Sequence, residues 1–418
     1  MSATPLVAES QSLYSTESMD CLLEVAEATS FAPEILDSVL WRRLETMRAR
    51  LSRLISPNEG DLINKAISTA YDDLPPSRQA RVLMSAEFYD CISKISRDAK
   101  LQKNEKAIEL EHAMHLSVLF DIISRERAIH ELSSNVESRY LANCRPDKVW
   151  SPVGDVVAQR NQQGVWTLSH APTIGDVVAI DFDSPLAEDY DPRSGVLSQT
   201  RLVFSAEEKE LVIERLQKAL DVIDSLEPIY GLLIRNFVRR VIVRKSVEQG
   251  GVEAARELGS GVFGSEHVHR QPGSIRLLNL HLDECTLVLC VEKLLHESTH
   301  NFLAAWETAN GPFVTNDEKY RPISPWSGNP IPNSSLVHAT FIYYMCHRLF
   351  EAFIASDFGS AQEDAERIRN KLGLFAAGFL IPKSVYEQLM LVGPPRPEVR
   401  LTLGTMQENI QQRYGYSA

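Results

Sequence analysis

The chain has 418 residues, of which 44% are hydrophobic and 24% are charged, and its formal net charge is −13 at pH 7. This composition is typical of a globular protein and excludes a chain that is disordered throughout. Proteins that bind a phosphate backbone or an anionic bilayer carry clustered Lys and Arg, whereas this chain has a net negative charge. We therefore expect neither nucleic acid nor a membrane as a partner.

The compartment is predicted from the apolar segments and the cysteines. No segment reaches the roughly 18 consecutive apolar residues of a membrane span, and the N-terminus lacks a charged stretch followed by an apolar one. The six cysteines are spread along the chain without a C-x-x-C pair, which is typical of reduced thiols rather than of disulfides or a thiolate metal site. We therefore expect a cytoplasmic protein whose cysteines are small core residues.

The first part of the chain is predicted to be a flexible segment followed by helices. Residues 1–30 open with a polar, Ser-rich stretch, and we expect them to be flexible. In residues 31–148, apolar side chains recur at helical spacing in three stretches. The third stretch contains His112, His115 and His130 without carboxylates at ligand spacing, so we interpret them as residues of an amphipathic helix and not as metal ligands.

Residues 149–200 differ from the helical region before them. Short β-branched runs are interrupted by Gly, Pro and Asp, which predicts a small β element of strands and tight turns, with His170 in a turn. Residues 201–418 are predicted to form the metal-site catalytic domain. This domain begins with a helix in which Ser205 is the cap and Glu208 stands at the capping-box position. Strand-like runs follow, at 237–246 and 273–282.

A helix predicted over about 285–309 carries the pattern H-E-x-x-H at 296–300. Residues four apart lie on nearly the same face of a helix, so His296 and His300 can reach one ion. Glu297 points about 100° away and is better placed to contact a water or substrate beside the metal than to join both histidines as a ligand. A buried hydrogen-bonded His-Glu network without metal is the structural alternative.

A catalytic site of this kind generally uses a third protein ligand. Trp306 stands where a metzincin has histidine, which excludes that family. The strongest candidate is His338, in the first turn of an almost wholly apolar helix predicted over about 335–355, because a buried ionisable group there needs a partner and a metal ion would supply one. Other zincins use a downstream carboxylate, for which this chain offers Glu318, Glu351 and Asp317.

Three further histidines are interpreted without a metal role. His347 lies nine residues after His338, about 180° around the helix axis, and is predicted to be structural. His267 and His269 would share one face of an extended segment, but an isolated H-x-H pair is more typical of a surface or substrate loop than of a metal site.

The order of these segments resembles that of the HExxH-type peptide-modification proteins. The similar segments are LPPSRQARVLMSAEFYD, then PGSIRL before LLHESTHN, then SPW followed by a Pro-containing loop and LVHATFIYYMCHRLF. Members of this family encoded beside ribosomally made peptides act as iron- and 2-oxoglutarate-dependent peptide β-hydroxylases. The similarity extends over about residues 30–390, and its specific part is 291–350.

The resemblance implies an Fe(II) site made by His296, His300 and His338, with 2-oxoglutarate as co-substrate and O2 as oxidant. In the family the last histidine belongs to a leucine-histidine-glycine helix start, where this chain has Ala339 in place of the glycine. The family's loop after Ser-Pro-Trp usually carries arginines, whereas the loop at 327–335 has none. The planar fork of an arginine is the expected partner of the distal carboxylate of 2-oxoglutarate, and the candidates are Arg276, Arg321 and Arg348.

Three functions follow from these patterns. The leading hypothesis is an Fe(II)- and 2-oxoglutarate-dependent oxygenase that hydroxylates, at a β-carbon, a residue of a ribosomally made precursor peptide. The first alternative is a zinc metallopeptidase in which Glu297 is the general base on a water that the metal activates. The second is a non-enzymatic peptide-binding protein. We expect a predominantly α-helical α+β fold with an N-terminal helical region, a small β element and a C-terminal metal-site domain.

Overall fold

The computed structural model describes residues 20–55, 62–98, 105–184, 187, 202–249, 251, 253, 262–267, 271–314, 321–359, 362–389 and 397–416. The fold is mostly helical, with 61% helix and 11% strand, and its small sheets lie in the middle of the chain. The predicted α-rich α+β fold is therefore confirmed. Within the described part of the chain, no helix is both long and apolar enough to cross a bilayer.

Helices precede the first strand. They are α1 (Asp20–Ala26), α2 (Ala32–Leu54), α3 (Leu62–Asp72), α4 (Pro76–Met84), α5 (Ala86–Asp98), α6 (Glu105–Ser133) and α7 (Arg139–Ala142). Of the predicted flexible residues 1–30, the structure describes those from Asp20, which open with α1. Pro76 stands at the start of α4, where its missing N–H and fixed φ suit the first helical turn. Helices α2 to α6 share an apolar core that includes the fully buried Met47, Phe88 and Ile122.

Two sheets follow these helices. The first is antiparallel, with β1 (Lys148–Trp150), β2 (Val156–Arg160) and β3 (Trp166–His170) in that order. His170 thus ends a strand, where a turn was predicted. The second sheet contains β4 (Thr173–Ile174), β5 (Val178–Asp181), β6 (Arg240–Arg244), β7 (Gly264–His267) and β8 (Ser274–Leu278), in the order β4-β5-β6-β8-β7. Strands β5, β6 and β8 are parallel and fully buried, and β7 pairs antiparallel with β8.

The remaining helices are α8 (Ala206–Leu226), α9 (Pro228–Phe237), α10 (Leu287–Asn310), α11 (Asn333–Ala355), α12 (Gln362–Ala377) and α13 (Pro397–Arg413), with short 3-10 helices at Asp357–Gly359 and Tyr386–Gln388. The predicted capping box is confirmed at the start of α8. The Ser205 N–H donates to Glu208 Oε2 at 2.8 Å, and the Glu208 N–H donates to Ser205 Oγ at 3.2 Å. The helices predicted near 285–309 and 335–355 correspond to α10 and α11.

The chain divides into two compact units that alternate along the sequence. The sheet unit comprises residues 43–220 and 237–301, and the helical unit comprises residues 1–42, 221–236 and 302–418. The sheet unit therefore contains both sheets and the first part of α10, which carries the H-E-x-x-H pattern. The helical unit contains α11, α12 and α13.

Candidate metal centre

The helix α10 is built to hold polar groups inside an apolar environment. Val291, Leu294 and Leu295 are fully buried along it and supply the apolar contact that stabilises the helix. Ser298 and Thr299, between the two histidines, are also buried, but their hydroxyls donate to the carbonyls four residues earlier at 2.6 and 2.9 Å. The hydroxyl groups of these two residues are therefore satisfied within the helix.

An asparagine fastens this part of α10 to the sheet. The Asn301 side chain accepts a 2.7 Å hydrogen bond from the Gly273 N–H and donates to the Ser274 carbonyl at 3.4 Å. Gly273 has a φ of +91°, a conformation that glycine adopts without strain, and it turns the chain into β8. The helix position next to His300 is thus held at the start of a buried strand.

His296, Glu297 and His300 come together in the sheet unit. Each offers one ligand atom, and these atoms all lie within 4.8 Å of one another. The two imidazole centroids are 5.4 Å apart, and His296 Nε2 is 3.9 Å from Glu297 Oε1. Two imidazole nitrogens bound to one ion at about 2.0–2.1 Å each lie at most about 4 Å apart, so ligand atoms within 4.8 Å of one another need a small adjustment of the side chains to hold a metal ion. The structure thus shows a possible metal-binding group, and the ligand set and the identity of the metal stay predictions.

Glu297 differs from the sequence expectation in one respect. The angle around the helix predicted that it would point away from both histidines, yet its carboxylate belongs to the same close group. Its side chain is buried, with 3% of the residue exposed, whereas His296 and His300 are half-buried. The 100° angle between Glu297 and His296 describes the directions of their Cα atoms around the helix axis. The side chain of a glutamate is long and flexible enough to turn back toward the histidines.

The carboxyl group of Glu297 is held in an unusual electrostatic environment. Burial raises its pKa to about 7, and the neighbouring Glu266 adds to the rise. The Ser265 hydroxyl hydrogen-bonds to Glu297 and Lys293 contributes a positive charge, and both oppose the rise. This carboxyl group can therefore exchange a proton near neutral pH in the absence of a metal.

His267 is a component of this centre that the sequence interpretation missed. It lies in β7, is buried with 6% exposed, and stacks on His300 with ring centroids 5.3 Å apart and an angle of 15° between the planes. The prediction of a surface or loop role for His267 is therefore wrong. The available signal was the alternation of the strand, because Ser265 and His267 share one face and contact Glu297 and His300 respectively. His269 lies outside the described residues.

His338 lies in the helical unit, buried in the first part of α11. Its Nε2 is 3.2 Å from Glu307 Oε2, and its ring meets Phe313 edge to face at 5.9 Å. A carboxylate therefore accompanies this buried imidazole, as its burial requires. His338 as a third metal ligand stays a prediction. Of the alternative carboxylates, Asp317 and Glu318 lie outside the described residues, and Glu351 pairs with Arg413 at 2.6 Å.

The three candidate arginines for 2-oxoglutarate have different surroundings. Arg348 in α11 forms ion pairs with Glu27 and, at 3.6 Å, with Glu227. Arg321 is exposed in the helical unit. Arg276 is buried in the sheet unit, 3.5 Å from Glu266 across the β7–β8 pair, on the sheet face opposite to that of Ser265 and His267. The choice among the three stays a prediction.

His347 has the surroundings of a structural residue. It is fully buried in α11, and its Nε2 lies 3.1 Å from the Tyr414 hydroxyl. Burial, with the charges of Arg413 and Arg348, lowers its pKa to about 4. These effects outweigh the Glu351 carboxylate, whose oxygen is 3.6 Å from His347 Nδ1. The neutral imidazole is thus the form that packs in the folded protein.

The whole chain was compared with known proteins. No model of a protein family matches it, and no curated protein matches it significantly. A function must therefore be argued from the metal group and from the order of the motifs.

Proposed function

We propose that this protein is an Fe(II)- and 2-oxoglutarate-dependent oxygenase that hydroxylates, at a β-carbon, a residue of a ribosomally made peptide. The observation that carries the proposal is the close grouping of two imidazoles and one carboxylate at His296, His300 and Glu297. Imidazole nitrogens suit iron, zinc and copper alike, so the two histidines support a metal centre that has Glu297 beside it. The motif order that resembles the HExxH-type peptide-modification proteins supports the choice of iron and of a peptide substrate.

Each residue of the group has a task in this proposal. His296 and His300 hold the metal, with His338 as the predicted third histidine. The bound iron, with 2-oxoglutarate and O2, supplies the oxidising chemistry that converts a C–H bond of the peptide into a C–OH group. The Ser265 hydroxyl orients the Glu297 carboxylate toward the two imidazoles. The ring of His267 covers one face of His300 and fixes its orientation.

The co-substrate requires a positive partner for its distal carboxylate. Arg276 lies in the same unit as the metal group, but on the sheet face opposite to that of Ser265 and His267, which contact the group. If Arg276 binds the co-substrate, Arg276→Met raises the concentration of 2-oxoglutarate needed for half-saturation about 10-fold or more, because a hydrogen-bonded charge pair is lost. Arg139→Met, which changes an exposed arginine of the same unit that is not a candidate, is the matched comparison. An unchanged half-saturation in Arg276→Met would remove Arg276 from the site.

A zinc metallopeptidase is the second candidate, and one specific observation favours it. The Glu297 carboxylate belongs to the same close group as the two imidazoles, which places a general base beside a water that a bound metal would activate. In the H-E-x-x-H arrangement of zinc peptidases, two histidines on one helix face bind the zinc and the glutamate is the general base. In this alternative Glu297 is a proton carrier and the third ligand must come from elsewhere in the chain.

An anaerobic titration distinguishes the two candidates without knowledge of the peptide. Metal-free protein receives Fe(II) and then 2-oxoglutarate, and the visible charge-transfer band of the chelate is followed. We expect the band in the natural protein and in His170→Ala, which changes an exposed histidine of β3, and its loss in His296→Ala. A protein that shows no band, and that holds one equivalent of zinc as purified, would instead be assigned to the metallopeptidase.

A further inference from the structure

Two cysteines meet at the start of the helix that carries the metal group. Thr286 caps α10, since its Oγ1 accepts a 3.3 Å hydrogen bond from the Leu289 N–H. Cys285 then stands just before the cap and Cys290 at the fourth helical position. Side chains at these two positions pack together in the hydrophobic staple, which sets the angle at which the chain enters a helix. In this protein the staple consists of two thiols.

The two thiols of the pair are in direct contact. The two Sγ atoms lie 3.5 Å apart, and both residues are buried, with 4% of Cys285 and 0% of Cys290 exposed. A disulfide bond is about 2.05 Å long, so the sulfurs have to approach by about 1.5 Å. The capped turn already holds both side chains on the same side of the helix start.

The surroundings make Cys285 the more reactive thiol. The hydrogen bond from Cys290 lowers the pKa of Cys285, and the nearby guanidinium of Arg215 lowers it further, although burial opposes both. Arg215 is held there by 2.6 Å hydrogen bonds to the carbonyls of Leu280 and Leu282. The pKa of Cys290 is raised well above its usual value, so Cys285 is the attacking sulfur.

A second buried thiol of the same unit provides the contrast. Cys91 donates to the His115 carbonyl at 3.2 Å, and burial raises its pKa to about 12. It has the character of an inert core residue, as the sequence interpretation expected for the cysteines. Burial alone raises the pKa of a thiol, so the lowered pKa of Cys285 comes from the neighbouring thiol and the arginine.

We propose that Cys285 and Cys290 form a redox-active dithiol that closes to a disulfide by exchange with a small disulfide such as oxidised glutathione. The Cys285 thiolate attacks one sulfur of the small disulfide, breaks its S–S bond and releases one thiol. The sulfur of Cys290 then attacks Cys285 in the mixed disulfide and releases the second thiol. The protein loses two electrons and the two thiol protons, and the small disulfide gains them as two thiols.

Formation of the disulfide would replace the packing contact between Cys285 and Cys290 with a covalent bond at the start of the helix that carries His296. The metal group begins six residues after Cys290, less than two turns along α10. A fixed first turn reduces the fraying of this helix, so we expect the oxidised protein to release its metal more slowly than the reduced protein. In a reducing compartment the dithiol form is the resting state, and closure follows a rise in the small-disulfide pool.

The test uses the full-length protein in glutathione buffers of graded ratio, followed by acid quenching, alkylation of free thiols and peptide mass mapping. We expect a single disulfide that joins Cys285 to Cys290, whereas Cys290→Ala stops at the mixed disulfide of Cys285. Cys91→Ala, which removes a thiol outside the pair, behaves like the natural protein. Formation of the bond in urea-unfolded protein but not in folded protein would overturn the proposal, as would an equal yield of other cysteine pairs in the folded protein.

The consequence for the metal has its own measurement. Oxidised and reduced protein loaded with Zn²⁺ are mixed with a chromogenic chelator, and the rate of metal transfer is recorded. We expect transfer from the oxidised protein to be several-fold slower, and we expect no effect of oxidation in Cys285→Ala. Equal rates in the two forms of the natural protein would refute the link between the dithiol and the metal group.

Discussion

The two long helices α10 and α11 both bury ionisable side chains, yet they accommodate them differently. In α10, His296, Glu297 and His300 face one another within a single group. In α11, His338 contacts Glu307, and the imidazole of His347 contacts the hydroxyl of Tyr414. The comparison shows that the spacing of two histidines along a helix decides whether they share one site or each pair with a different partner. Four residues bring two side chains to one face, whereas nine residues send them to opposite faces.

Removing a histidine of the α10 group has the largest expected effect. We expect His300→Ala to weaken the binding of Fe(II) or Zn²⁺ more than about 100-fold, because the loss of a ligand exceeds the 10- to 100-fold cost of losing an outer partner. His347→Ala removes a histidine of α11 and leaves metal binding unchanged. Metal stoichiometry and competition with a chelator measure both. Equal metal affinity in His300→Ala and the natural protein would contradict the assignment of the metal to the α10 group.

The α11 side of the comparison is tested by the pH dependence of stability. The pKa of His347 is about 4 in the folded protein and near 6.5 in the unfolded chain, so the unfolded chain binds the proton first as pH falls. The contribution of His347 to the free energy of unfolding is therefore highest above pH 6.5. It decreases through the window from 6.5 to 4, by about 3 kcal/mol for this residue.

Urea unfolding across that pH window provides the measurement. We expect His347→Gln, which retains a side chain able to hydrogen-bond to Tyr414, to flatten the dependence between pH 6.5 and 4. Exposed His170→Gln is the control and keeps the slope of the natural protein. Parallel curves for His347→Gln and the natural protein would show that His347 is protonated without cost in the folded state.

The contact between His338 and Glu307 provides a further test of the difference between α10 and α11, with a smaller expected effect. If His338 is a metal ligand, Glu307 is its outer partner, and we expect Glu307→Gln to weaken metal binding about 10-fold. If His338 is only structural, the same change lowers the free energy of unfolding by about 1 kcal/mol and leaves the metal in place. Metal competition and urea unfolding on the one variant separate these roles, and we expect the first.

The stacking of His267 on His300 carries the smallest expected effect. We expect His267→Ala to weaken metal binding about 2- to 10-fold, because an aromatic pair is worth about 0.5–1.5 kcal/mol. His267→Phe retains the ring and should restore the affinity of the natural protein. A Phe variant that binds metal as poorly as His300→Ala would make His267 a ligand in its own right.

Several features were predictable because they depend on residues close together in the chain. The period of apolar residues predicted α10 and α11, the Ser-x-x-Glu pattern predicted the start of α8, and β-branched runs predicted β6 and β8. The pairing of His296 with His300 belongs to the same class, since helical geometry alone brings them to one face.

The sequence by itself therefore determined the helices, the capping box and the two-histidine face, because each of these depends on backbone geometry within a few residues. Only the tertiary structure decided that β7 lies against α10, that Ser265 reaches Glu297, and that His338 meets Glu307. These contacts join residues about 30 positions apart through a sheet and a loop. Local periodicity contains no information about such pairings, because they are selected by the packing of whole elements around a shared core.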